Sequence, residues 1–387
     1  MLKYIKLNST HYLFFTCISL ITLSIVLKGW IATWVIFKIP SFLPAHFDLR
    51  FYQYPAIAIS EGKNPLFATH EIWATADFFK YGISDYFLPS FKFAYFLNFH
   101  KELYFRSYAL LIIFFYILCV SSLLKIKKNS FWILILFFSN SSMLAIERTN
   151  NDLIIFCLIY YFAMFPNFIG LSFAMLATYI EVWPIVIGIA LIKKKIKILF
   201  LFCSTIFIII FYKSIFARGM EPITQDWFSF GAKSLSLAIK RTFDIDVNYL
   251  SIVGLLIIIT LLTLMMDIFK LKHKKSPNDF EERLFLIGAT IYIGLFIMAS
   301  SFDYKLIFLI FCVPYISLLK EILVKWFILL TIIIASNYTW IYDDSLTSVG
   351  HYVNTISKVI IFIILLNMLI RYFINFVRSS TIKKILF

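Results

Sequence analysis

Asp48 is the residue around which chemistry can be read in this sequence. It stands in His46-Phe47-Asp48-Leu49-Arg50-Phe51-Tyr52, where the first long apolar segment gives way to the longest hydrophilic interval of the chain. A carboxylate at such a boundary has an apolar wall behind it and water in front. Partial desolvation disfavours its charged form and raises its proton affinity, the property needed in a general base that takes a proton from an acceptor hydroxyl. The same carboxylate can instead cap a helix beginning near residue 49, accepting N–H bonds at the positive end of its dipole. The two roles are compatible, and both stay open at this point.

Other polar clusters also interrupt apolar runs. Glu147-Arg148-Thr149-Asn150-Asn151-Asp152 lies between two of them. A tight turn with an ion pair, with Asn150 or Asp152 capping the next helix, accounts for part of it. Arginine, asparagine and aspartate are also the types that grip a phosphate and sugar hydroxyls. Glu181, beside Trp183-Pro184, breaks another run. A carboxylate at that depth costs about 2.5–3.5 kcal/mol to insert, so it calls for a partner or a substrate. Asp303-Tyr304-Lys305 separates two more runs. There Lys305 either snorkels to the interface or neutralises a departing phosphate. Arg218, Lys233 and Arg241 are weaker cationic candidates in a polar loop. His46, His70-Glu71 and His351 lack tight ligand spacing, so no metal is assigned, a divalent ion being the minority alternative. No phosphate-cradling loop of the GxxxxGK[ST] or GxGxxG kind occurs, and no cofactor is expected.

The elements that must hold these residues follow from composition. Hydrophobic residues make up 61% of the 387 and charged ones 15%, which excludes an ordinary soluble domain. A span takes roughly 20 apolar residues, and the chain carries about a dozen such blocks. Spans are expected near 12–35, 106–124, 131–146, 152–165, 168–181, 183–192, 197–216, 249–269, 284–300, 305–319, 326–341 and 355–377. The fifth and sixth are too short to cross about 30 Å at about 1.5 Å per residue and read as a bent or re-entrant pair. The expectation is an all-α polytopic bundle of about twelve transmembrane or re-entrant helices, one integral membrane domain over 1–387, with a long first outer loop at 38–105. Within that loop, 49–61 reads as an interfacial helix stopped by Gly62, against which Pro55 argues. Segments 70–80 and 88–99 read as further surface pieces.

The formal charge of +15 sits in short clusters at 125–128, 193–197, 270–275, 320–325 and 378–384. With both termini in the cytoplasm every cluster falls inside, which is the positive-inside pattern rather than a stripe tracking nucleic acid. Lys3 and Lys6 before the first apolar run read as a retained signal anchor in the plasma (inner) membrane. The outer face then collects Asp48, Arg50, the 147–152 segment, Glu181, Arg218, Glu221, Asp226, Asp303, Tyr304, Lys305, Asp343, Asp344 and His351. The five cysteines lie in separate apolar blocks, with no disulfide frame or zinc spacing.

Several segments resemble motifs of the bacterial multi-pass GT-C glycosyltransferases related to glycosyltransferase family 87. Asp48 with Tyr52 resembles the acid and tyrosine of that family's first outer loop. Gly62-Lys63-Asn64-Pro65 is similar to its G-x-N-P-Y, with Leu66 in place of tyrosine. Glu147-Arg148-Thr149-Asn150-Asn151-Asp152 resembles E-R-G-N-x-D, with threonine for glycine. Glu181-Val182-Trp183-Pro184 stands where relatives carry K-x-Y-P, and Asp303-Tyr304-Lys305 resembles D-Y-R with lysine for arginine. The motifs cover most of the chain at low density. The resemblance implies a polyprenyl-phosphate sugar donor, a glycolipid or glycan acceptor, inversion at the anomeric carbon and Asp48 as base. Arg148 and Lys305 would then stabilise the leaving phosphate, although lysine lacks arginine's bidentate fork. Asn150, Asp152 and Tyr52 would position substrates, with Asn64, Glu147, Glu181, Asp303 and Tyr304 as further contacts. Two rivals share the membrane setting: a polymerase of lipid-linked polysaccharide, and a flippase or transporter. The latter predicts charged residues near mid-bilayer and a repeated half, and neither shows in the sequence.

Overall fold

The structure is a computed structural model that describes residues 9–39, 41, 45–46, 48–62, 88–126, 130–181, 183–191, 229–269, 271–274, 276–298, 301–337 and 347–386. The expectations for Asn64, segment 70–80, the span at 197–216, Arg218, Glu221, Asp226, Asp343 and Asp344 lie outside the described residues. The chain divides into two compact units, Met1–Ile223 and Thr224–Phe387.

The first unit opens with α1 (Ser9–Lys28) and α2 (Trp30–Ile36). The expected single span is broken at Gly29, whose φ of +84° suits a residue without a Cβ. Helix α3 (Arg50–Ser60) fills most of the expected 49–61 segment and carries Pro55 inside it, with Gly62 at φ +69° just beyond its end. It is more deeply seated than an interfacial helix. Leu49, Tyr52 and Ala56 are buried in one cluster with Phe91, Ala94, Phe99, Phe105 and Ala109, drawn from α4 (Leu88–Phe96), the turn after it and α5 (Glu102–Leu123). The span expected at 131–146 is instead α6 (Ser130–Phe137) and α7 (Asn140–Arg148), bent by 52°. The polar run Ser139-Asn140-Ser141-Ser142 sits at the bend. Helices α8 (Asn151–Met164) and α9 (Phe168–Ile180) form a hairpin around Gly170. A Cβ on Gly170 would lie 1.8 Å from the Phe165 carbonyl oxygen. A 3₁₀ helix, Trp183–Leu191, follows.

In the second unit β1 (Ser229–Phe230) pairs antiparallel with β2 (Ser301–Phe302), Ser229 opposite Phe302. Between them lie α10 (Ala232–Phe243), an amphipathic helix in what was expected to be a loop, then α11 (Tyr249–Met265) and α12 (Asp279–Met298). The expected tenth span is largely a 3₁₀ helix, Asp303–Cys312, continued by the short α13 (Val313–Ile316). Pro314 stands in the first turn of α13. It has no N–H to give Ile310, which an α-helix through this point would require. Helices α14 (Ile322–Ser336) and α15 (Thr347–Leu386) complete the unit.

Among the described residues the architecture is all-helical apart from the two-residue ladder, and it is that of a membrane protein. Among the described residues three helices, Ser9–Lys28, Glu102–Leu123 and Tyr352–Arg378, are long and apolar enough to cross a bilayer, and the bent α6–α7 pair makes up to four. Four shorter apolar helices accompany them. Leu20, Leu23, Val26 and Leu27 of α1 are more than half exposed, as side chains facing lipid would be.

Candidate functional site

The site in the first unit is assembled by two short connections. One is the approach to α3, ending in Asp48. The other is the turn between α7 and α8. A backbone bond registers them, the Asp48 amide donating to the Arg148 carbonyl at 3.2 Å. Asn150 serves both elements with one side chain. Its Oδ1 accepts the Asp152 amide at 2.8 Å and so caps α8, while its Nδ2 donates to Asp48 Oδ2 at 2.6 Å. Capping fixes the orientation of the amide, and the amide fixes the carboxylate. Arg148 Nη1 lies 3.8 Å from Asp48 Oδ1, and Arg148 Nε lies 4.0 Å from Glu147 Oε2, so one guanidinium is shared by two acids. Ser41 donates its hydroxyl to Glu147 Oε1 at 2.7 Å. Asn151 Nδ2 donates to the Tyr52 hydroxyl at 2.7 Å, binding α8 to α3.

Asp48 does not cap α3. The N-cap position is Leu49, without a side-chain bond, and the carboxylate turns to Asn150 and Arg148 instead. Only 5% of Asp48 is exposed. Burial pushes its carboxyl above the ordinary carboxylate range, against the pull of the Arg148 charge and the Asn150 hydrogen bond. The Glu181 carboxylate adds to the rise, which places this residue, at the C-cap of α9, in the electrostatic neighbourhood of Asp48.

Beside this pair, His46 Nδ1 and Thr149 Oγ1 are hydrogen-bonded at 2.8 Å. The His46 ring packs on Trp30 at 4.4 Å between centroids, and its pKa is lowered to about 4 by burial and then by the Arg50 charge. Arg50 donates through both terminal nitrogens to Glu102, at 3.0 and 3.2 Å, and to Gln53 at 2.6 Å, and it lies over the Phe105 ring. This set ties the first turn of α3 to the first turn of α5.

The structure thus gathers Asp48, Tyr52, Glu147, Arg148, Asn150, Asp152 and Glu181 in the first unit. Asp303, Tyr304 and Lys305 belong to the second unit. There Asp303 is fully buried, and both its oxygens face Lys358 Nζ of α15, at 2.7 and 2.9 Å. Tyr292 of α12 donates its hydroxyl to the Lys358 carbonyl at 2.7 Å and stacks its ring on Phe230. Tyr304 is buried, and Lys305 is half-buried.

Sequence reasoning missed Lys358, the Asn151–Tyr52 bond and the Arg50–Gln53–Glu102 set. Lys358 carried a legible signal, a charge inside an apolar span. The other two had none, because Tyr52 and Asn151, and Arg50 and Glu102, stand tens of residues apart in the chain. Among the described residues, no three of the His, Cys, Asp and Glu side chains are grouped so as to hold a metal ion. No protein family, curated protein or solved structure matches this chain.

Proposed function

We propose that the chain is a membrane glycosyltransferase that moves one sugar from a polyprenyl-phosphate carrier to a glycolipid or glycan acceptor on the extracytoplasmic face. In this reading it sits in the plasma (inner) membrane as one integral domain of about twelve spans, with both termini in the cytoplasm. The supporting observation is Asp48 itself: buried, held by Asn150 at 2.6 Å, beside a single guanidinium, with its proton affinity raised. In the reaction the acceptor oxygen bonds to the anomeric carbon, the bond from that carbon to the phosphate oxygen breaks, and Asp48 receives the hydroxyl proton. Arg148 faces the negative charge that grows on the departing phosphate. Asn150 and Tyr52 orient the reacting groups, and Glu181 tunes the base. Positioning and charge stabilisation contribute more than the base, which alone is worth about 10²–10⁴ in rate.

The test supplies purified protein with labelled polyprenyl-phosphate sugars and compares it with Asp48→Asn. Transfer should fall by about 10²–10⁴-fold in the variant. A variant that folds and transfers at the normal rate would remove Asp48 from the mechanism.

A second reading, the flippase or transporter, has one observation in its favour. The Lys358–Asp303 pair is a buried charge pair whose lysine lies inside a helix long enough to span, and such charges mark ion and substrate pathways. Labelled lipid that crosses the bilayer of proteoliposomes without losing its sugar would select it.

A further inference from the structure

The hydrogen bond between His46 and Thr149 joins two residues that both hold left-handed backbone, at φ +61° and +48°. That region is costly for any side chain with a Cβ, and for a β-branched residue such as threonine it is a true outlier. Glycine would occupy either position without strain. Strain of this kind persists where the surroundings over-determine it, and here the surroundings are the site. His46 is two residues before Asp48, and Thr149 lies between Arg148 and Asn150, the two residues that hold the Asp48 carboxylate. The bond is buried, and the Trp30 ring backs the imidazole. It lies next to the backbone bond from Asp48 to Arg148. Together the two bonds form a double clasp, one side-chain and one backbone, between the turn bearing the base and the turn bearing its partners.

We propose that His46 and Thr149 are positioning residues for Asp48, their side chains retained in strained backbone because the bond between them fixes the carboxylate against Arg148 and Asn150. This inference rests on the transferase reading for its kinetic consequence but not for its structural one.

Thr149→Gly and Thr149→Ser separate this role from a contribution to folding. The glycine variant loses the hydroxyl and also loses the strain, so its melting temperature should stay within a few degrees of wild type. Its kcat for sugar transfer should fall at least tenfold, with KM little changed. The serine variant keeps the hydroxyl and should recover most of the rate. Hydrogen–deuterium exchange of the 45–50 peptide gives an independent readout, since opening the clasp exposes the Asp48 amide. Exchange there should quicken in Thr149→Gly and not in Thr149→Ser. Normal kcat in Thr149→Gly, or equal impairment of both variants, would overturn the positioning role. If wild type transfers no sugar at all, the transferase reading falls. The clasp then stands on the exchange data, and unchanged exchange in Thr149→Gly would refute it.

Discussion

Asp48 lets the cost of a buried charge be set against its use. Its carboxyl titrates above the ordinary 3.8 because burial disfavours the ion. An acid whose folded pKa is raised favours the fold below its unfolded pKa and loses that contribution as pH rises through the folded value. Above that value Asp48 therefore weighs against stability. Asp48→Asn keeps an oxygen that can accept from Asn150 and removes the charge, so its melting temperature at neutral pH should equal or exceed wild type while transfer is lost. The same argument gives a pH dependence. A base must be deprotonated to act, so the acid limb of the rate profile should lie above the ordinary carboxylate range. Glu181→Gln deletes a neighbouring negative charge that raises Asp48, and a rate–pH profile should place its acid limb at lower pH than wild type.

At the scale of elements, helices were easier to read than their interruptions. The apolar runs mark α8 to within one residue at each end and α5 and α11 to within four, because an apolar stretch bounded by polar residues carries its own ends. The break at Gly29 and the bend before Asn140 lie inside apolar runs, where Gly and Ser are tolerated in straight helices as well. The two 3₁₀ segments were read as α because their composition does not distinguish the two. Their geometry does matter: at about 2.0 Å per residue, the Asp303–Cys312 segment reaches further than an α-helix of equal length. It does so while packed closely on α12. A Cβ at Gly288 would meet Cys312 Sγ and the Phe308 carbonyl oxygen, each at 2.8 Å. Gly288→Ala should therefore destabilise the second unit by about 1–3 kcal/mol, the usual cost of overpacking, measured by thermal unfolding in detergent. Gly170→Ala should disturb the α8–α9 hairpin for the same reason.

At the scale of the molecule, class was legible and the side-chain constellation was legible only within the first unit. Composition and charge placement pointed to a helical membrane protein because both respond to the bilayer rather than to particular contacts. The Asp48, Arg148 and Asn150 meeting was legible because polar residues grouped in an apolar chain have few places to go. Asp303 was read as a substrate contact, whereas Lys358, met 55 residues later, takes both its oxygens. Removing either partner alone leaves a buried charge uncompensated. Lys358→Met or Asp303→Asn should each cost about 3–5 kcal/mol, while the double change to Met and Leu should restore most of it, as read by detergent-solution melting.

That pair also has a consequence for how the protein is made. Lys358 lies six residues into the apolar stretch Tyr352–Arg378, about 9 Å along the helix. A segment entering lipid with that charge gains from meeting Asp303, which has left the ribosome earlier. Closing the pair therefore favours seating the last helix against the Asp303 segment as the second unit forms.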